Sequence, residues 1–325
     1  MSLQLSDFQL EQALATIEHS DASNQEKIDM LTEIAMGLQL RPKSASQLFD
    51  ALTLYNRALE LCQEHETSLI ARLKARRATC YQMIPEEGCN YLLEARKDLV
   101  AALEFIQQDG SPEEIAEVYM NLGLIVQALA NFHKAKISDA IMHYQKALHT
   151  FTKERFPAEF AILHNNLATA YLAIPMSDER AKMREALAVQ SFQAALQVVT
   201  LEDDPNEFAM LQNNLGNALQ YASSSHVLEN NLRALEAYDQ ALKVRNRRLN
   251  PLSYANTISN KANCLRNLPD DPEQASSGNR NRLLEAQALY REAAEIFEAA
   301  GECQKTQIVQ DMLEQIGKEL NAQLN

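Results

Sequence analysis

One stretch of this chain occurs twice, as FPAEFAILHNNLATAY over 156–171 and DPNEFAMLQNNLGNAL over 204–219. The two copies reveal a period. Taking proline as origin, Pro112, Pro157, Pro205 and Pro251 follow one another at intervals of 45, 48 and 46 residues. Four residues after each comes alanine, at Ala116, Ala161, Ala209 and Ala255. Nine after comes asparagine, at Asn121, Asn166, Asn214 and Asn260, and eleven after a small residue, Gly123, Ala168, Gly216 or Ala262. An earlier copy from Thr67 keeps Ala71 and Ala78 but has Arg76 in place of the asparagine.

A second pattern, Ala-x-x-x-aromatic-x-x-Ala, follows each copy and also precedes the first. It reads Ala51/Tyr55/Ala58, Ala95/Leu99/Ala102, Ala140/Tyr144/Ala147, Ala188/Phe192/Ala195, Ala234/Tyr238/Ala241 and Ala286/Tyr290/Ala293. Spacings of four and three place these residues on one helix face. Small residues let two helix backbones approach while the ring fills the gap beside them, so Tyr144, Phe192, Tyr238 and Tyr290 are expected in the core. A single helix pair cannot bury its apolar stripe alone and needs neighbours. The expected fold is therefore all-α: a solenoid of about six helix pairs over 44–301, with capping helices over 1–43 and 302–325. Only eight glycines and nine prolines interrupt a chain rich in helix formers.

Local signals set the expected helix ends. An amphipathic helix is expected from Gln4 to His19. Ser23 and Glu26 form a capping box for a helix to Met36 that Gly37 and Pro42 end, and Ser111, Pro112 and Glu114 start another. The polar stretches 175–184, 223–230 and 269–281 read as loops inside pairs.

The formal net charge of −14 argues against a nucleic-acid or anionic-membrane partner, since binding phosphate needs a basic surface. The charge is uneven: residues 41–103 carry nine basic and eight acidic side chains, which leaves this third able to meet an acidic ligand. Five cysteines without CxxC spacing read as reduced, buried thiols of a cytoplasmic protein. The stretch MSLQLSDFQLEQ carries acids and no apolar core of signal length, and no later apolar run approaches membrane-spanning length, so a soluble intracellular protein is expected. The seven histidines include no HExxH and no pair four residues apart, and Ser276, Ser277 and Gly278 lack the strand and lysine of a phosphate loop. No nucleophile and base can be paired. The reading is a protein without catalytic activity, metal or cofactor; the sequence is silent on oligomeric state.

The runs Asn165-Asn166-Leu167-Ala168 and Asn213-Asn214-Leu215-Gly216, each followed by the alanine/aromatic/alanine helix, resemble the tetratricopeptide repeat. More narrowly they are similar to its long form of about 42–48 residues, found in kinesin light chains and in bacterial proteins with caspase-like CHAT domains. The resemblance covers 44–301, although Lys261 replaces the repeat leucine in the last copy. It implies a right-handed superhelix whose first helices line a concave groove, and a non-catalytic scaffold for a peptide or protein segment. A regulatory peptide receptor of the quorum-sensing type, or an accessory subunit of a larger signalling or protease assembly, is the alternative.

The resemblance also implies that the asparagine at offset nine bonds a bound peptide backbone, which marks Asn121, Asn166, Asn214 and Asn260, with Asn165 and Asn213 beside them. Independently, a side-chain amide offers donor and acceptor together, as a peptide group requires. Thr79, Thr169, Asn217 and Asn263 lie one turn later on the same face. These amides have an alternative role in capping loops or bonding neighbouring helices. Their recurrence at one offset inside helices, where asparagine is a poor former, favours the groove. Arg72 and Arg76, four apart, share a face and together suit the acidic end of a ligand; solvation, or pairing with Glu64, Glu66 or Asp98, is the alternative.

Overall fold

The computed structural model describes residues 7–175, 179–222, 226–274 and 277–323. The expected start of the first helix at Gln4 lies outside them, as does Ser276. Among the described residues the chain is helical and contains no strand. The helices are α1 (Asp7–Glu18), α2 (Asn24–Leu40), α3 (Ala45–Leu61), α4 (Thr67–Met83), α5 (Asn90–Asp109), α6 (Pro112–Asn131) and α7 (Ile137–Leu148), then α8 (Pro157–Ala173), α9 (Glu179–Ala195), α10 (Pro205–Gln220), α11 (Val227–Leu242), α12 (Pro251–Arg266), α13 (Arg280–Ala299) and α14 (Cys303–Ala322). From α2 to α13 they pack as consecutive pairs, α2 on α3 through α12 on α13, and α14 packs on α13. Residues 24–40, read above as part of a cap, thus form the first helix of a pair. The chain divides into two compact units, 1–152 holding α1 to α7 and 153–325 holding α8 to α14. Each is an all-α stack of helix pairs.

Both capping boxes form as their sequence indicates, Ser23 with Glu26 and Ser111 with Glu114. Other ends differ from expectation. α2 continues through Gly37, which has open space around it, and stops at Arg41, whose φ of −144° and ψ of 70° leave the helical region. The residue before a proline is pushed that way, so Pro42 rather than Gly37 ends the helix. α9 and α11 begin inside stretches read as loops, because charged residues such as Glu179, Arg180 and Lys182 are good helix formers and polarity alone does not mark a loop. Loop carboxylates cap helices: Glu86 accepts from the N–H groups of Asn90 (3.0 Å) and Tyr91 (2.8 Å), and Asp270 from those of Asn281 (3.1 Å) and Arg282 (2.9 Å). The described part of the 269–281 loop therefore anchors α13.

Tyr144, Phe192, Tyr238 and Tyr290 are all buried core residues. Gly123 and Gly216 leave room for two of these rings. A Cβ at Gly216 would lie 2.5 Å from Cε1 of Tyr238, and one at Gly123 would strike the Tyr144 ring. The ring hydroxyls are served from the first helices: Tyr55 donates to Gln39 (3.0 Å) and Tyr144 to Gln127 (2.8 Å). Tyr238 lies 2.8 Å from both the Asn217 and the Gln220 side-chain oxygens. A hydroxyl has one proton, so it donates to one of these amides and the other is satisfied by turning its NH2 toward the ring oxygen. Fifteen residues after the repeat proline stand Gln127, Gln220 and Arg266, each beside a tyrosine, whereas Leu172 stands there where the ring is Phe192.

The last repeat exchanges two core apolar groups for a hydrogen-bonded pair. Six residues before the proline, Phe151 and Val199 become Arg245; six after it, Leu163 and Leu211 become Thr257. Arg245 donates to the fully buried Thr257 hydroxyl at 2.8 Å, and burial lowers the Arg245 pKa. In the first unit Arg77 on α4 clamps Asp98 on α5 through two bonds of 2.7 and 2.8 Å.

Candidate functional site

The first helices of the first unit line a cleft of about 410 Å3. α2 contributes Met36, Gln39 and Leu40; α4 contributes Arg72, Ala75, Arg76, Thr79 and Met83; α6 contributes Glu114, Glu117, Val118 and Asn121, with Tyr55 and Ile106 also on the wall. The rim is unusually apolar for an exposed surface, with Leu40 79% exposed and Met36 and Met83 each 43%. Methionine and leucine at such exposure leave apolar area in water that a partner can cover.

The expected site residues of this unit have different roles. Arg72 does not pair with Glu64, Glu66 or Asp98 and is not free. Its Nε donates to Glu114 Oε1 at 2.6 Å, Nη2 to Oε2 at 3.2 Å, and Nη1 to Ser68 at 2.9 Å. Glu114 also caps α6, and the Arg72 bond followed by the Ser111 N–H holds its carboxyl below the ordinary range. Arg76 is exposed and its polar contact is with the Met36 sulfur; among the described residues no carboxylate lies within ion-pair distance of it, although its charge adds to the lowering of the Glu114 pKa. Asp98 belongs to Arg77. The Thr79 hydroxyl donates to the Arg76 carbonyl (2.8 Å) and accepts from Gln39 (2.9 Å), which in turn accepts from Tyr55. Asn121 lines the cleft. The two arginines thus do not act as a pair: one is locked in place and the other is available.

In the second unit several of the amides make contacts with neighbouring side chains. Asn260 donates to Asn213 at 3.3 Å, across to the neighbouring first helix, and Asn213 is itself buried and 3.5 Å from Asn214 Oδ1. Asn217 meets the Tyr238 hydroxyl, and Asn263 donates to that of Tyr221 at 2.8 Å. Thr169 donates to the Asn166 carbonyl at 2.9 Å. The Asn217, Asn260 and Asn263 contacts join different helical segments, whereas the Thr169 bond lies within α8 and the Asn213–Asn214 contact within α10. The Asn165 Oδ1 is buried without a hydrogen-bond partner, and the Asn166 side chain is half-buried and makes no side-chain hydrogen bond among the described residues. The residues at offsets five and nine here, Ile162, Asn166, Met210, Asn214, Asn256 and Asn260, carry no charge, unlike Arg72, Arg76 and Glu117 in the first unit.

The two buried cysteines and two of the histidines are engaged in packing, while Cys303 is exposed. Burial raises the pKa of the Cys80 and Cys264 thiols to about 12, and they point at the backbone carbonyls of Leu48 and Asn231. His143 stacks on Tyr119 and His164 tilts against Phe160 with centroids 4.3 Å apart; burial lowers both pKa values. Among the described residues no cluster of three metal-ligating side chains occurs, and no helix is long and apolar enough to cross a membrane.

No family profile and no curated protein matches the chain. Solved structures do. BtubC (BKLC) from P. vanneervenii is 22% identical, with a TM-score of 0.52 over 73% of this chain and 91% of that one. A signal transduction ATPase with numerous domains from Pyrococcus horikoshii, which has a tetratricopeptide repeat sensor, is 16% identical with a TM-score of 0.59; 93% of this chain covers 42% of that one. These likenesses show the fold, a tetratricopeptide-type stack of helix pairs.

Proposed function

We propose that the chain is a non-catalytic cytoplasmic scaffold that holds a peptide or protein segment against its first helices. The observation that carries this reading is the unit 1 cleft, where three exposed apolar side chains share the wall with a guanidinium that has no carboxylate within ion-pair distance. An acidic group of the ligand meets Arg76, while a neighbouring apolar side chain covers Met36, Leu40 and Met83. The uncharged face at Asn166 and Asn214 offers backbone-type hydrogen bonds to a segment of any sequence.

The test uses wild type, Arg76→Glu and the double variant Asn166→Ala with Asn214→Ala as baits in extract of the source cell, with recovery quantified by mass spectrometry. All three should melt close together, since these side chains hold little of the fold. Two lost amide bonds of about 0.5–1.5 kcal/mol each weaken a peptide complex by about 5- to 150-fold, so a protein retained by wild type should be depleted on both variants. Equal recovery of the same proteins on all three baits contradicts the proposal.

A further inference from the structure

We infer that the unit 1 cleft selects an amphoteric segment, with an acidic group at Arg76 and a basic side chain about three residues away at Glu117. This rests on peptide binding at the cleft and adds the charge pattern and the direction of the ligand. Four charged side chains line the cleft, and two of them cancel. Arg72 and Glu114 hold each other through two bonds, so a ligand charge reaching either must displace its partner. That leaves Arg76 on α4 and Glu117 on α6. Both are exposed, and among the described residues neither meets a side chain of opposite charge within ion-pair distance.

The two free charges stand on neighbouring first helices, each one turn beyond the neutralised pair: Arg76 follows Arg72 on α4 and Glu117 follows Glu114 on α6. Packed helix axes lie about 8–10 Å apart, and an extended chain advances about 3.3 Å per residue, so about three residues of ligand span the gap. The apolar side of the cleft fixes the order. Met36 on α2 meets Arg76, and Leu40 on the same helix lines the cleft, so the ligand's apolar residue sits on the α2 side, beside its acid. A uniformly acidic segment would satisfy Arg76 and be repelled at Glu117, as well as by a chain of net charge −14.

The experiment pans a random dodecapeptide phage library on wild type and on the exchange variant Arg76→Glu with Glu117→Arg. Wild type should enrich peptides with an acid beside an apolar residue and a base about three positions away. The exchange variant should enrich the reversed charge order. For a synthetic peptide of the wild-type consensus, Arg76→Gln or Glu117→Gln should each weaken binding by about two- to five-fold, the range for an exposed ion pair, and less at high salt. A wild-type consensus without paired charges, or one unchanged by the exchange, overturns this inference and leaves peptide binding standing. Failure to enrich any peptide on wild type overturns both.

Discussion

Tyr238→Ala is expected to destabilise the second unit by about 3–5 kcal/mol, the range for emptying a buried aromatic site. The ring is fully buried, its hydroxyl is bonded to the end of α10, and Gly216 lies against its edge. That contact gives the prediction a second arm. In wild type, Gly216→Ala drives a methyl to 2.5 Å from the ring, and overpacking of this kind costs about 1–3 kcal/mol. In the Tyr238→Ala background the same methyl enters the vacated space, and alanine favours a helix over glycine by about 1 kcal/mol. The substitution should therefore change from destabilising to stabilising, a coupling that denaturant melts of the double-mutant cycle measure directly. Additive effects, or a Tyr238→Ala protein with wild-type stability, would remove the ring from its assigned role in joining α10 to α11.

Arg77→Met is the other substitution with a large expected effect, about 3–5 kcal/mol in the first unit. Asp98 is 4% exposed, and its carboxylate is held by the Arg77 fork, with the ion pair at 2.7 Å. Removing one partner of a buried pair strands the other charge in a medium that solvates it poorly. Burial, the largest single influence, lowers the Arg77 pKa, but the bonds and charge of Asp98 together with Tyr81 and Glu94 outweigh it and the pKa is raised. Replacing both partners, as Arg77→Met with Asp98→Leu, should recover most of the loss, because an apolar pair of similar volume satisfies the site without desolvating a charge. Urea melts of the four proteins test this. A single substitution costing under about 1 kcal/mol, or a double one no better than the single, contradicts it.

The fold was legible because each repeat states the same packing problem. A proline and alanine at the start of one helix, and a small residue opposite an aromatic on the next, recur with few exceptions, and the buried rings sit where that spacing places them. Helix starts inside polar segments were not legible, since Glu179 to Lys182 are as suited to an exposed helix as to a loop. The site was legible only in part, for a physical reason: the decisive partners lie one period away. Arg72 meets Glu114 at a separation of 42 residues and Asn260 meets Asn213 at 47, whereas Glu64, Glu66 and Asp98 are the acids near Arg72 in sequence or on the paired helix. First helices of neighbouring pairs pack side by side, so each polar residue is best compared with those one repeat before and after it. The alternation of Gln127, Leu172, Gln220 and Arg266 with the presence of a ring hydroxyl is a signal of the same kind, present in the sequence but readable only once the helices are paired.

The most direct test of the cleft is photo-crosslinking in the source cell, with benzoylphenylalanine placed either at Met83 on the cleft rim or at Val100 on α5, which is exposed but outside the cleft. Partner adducts should form from position 83 and not from position 100, and Arg76→Glu should abolish the adduct at 83. Adducts from position 100 alone, or an adduct at 83 that persists with Arg76→Glu, would contradict the assignment of the cleft as the ligand site.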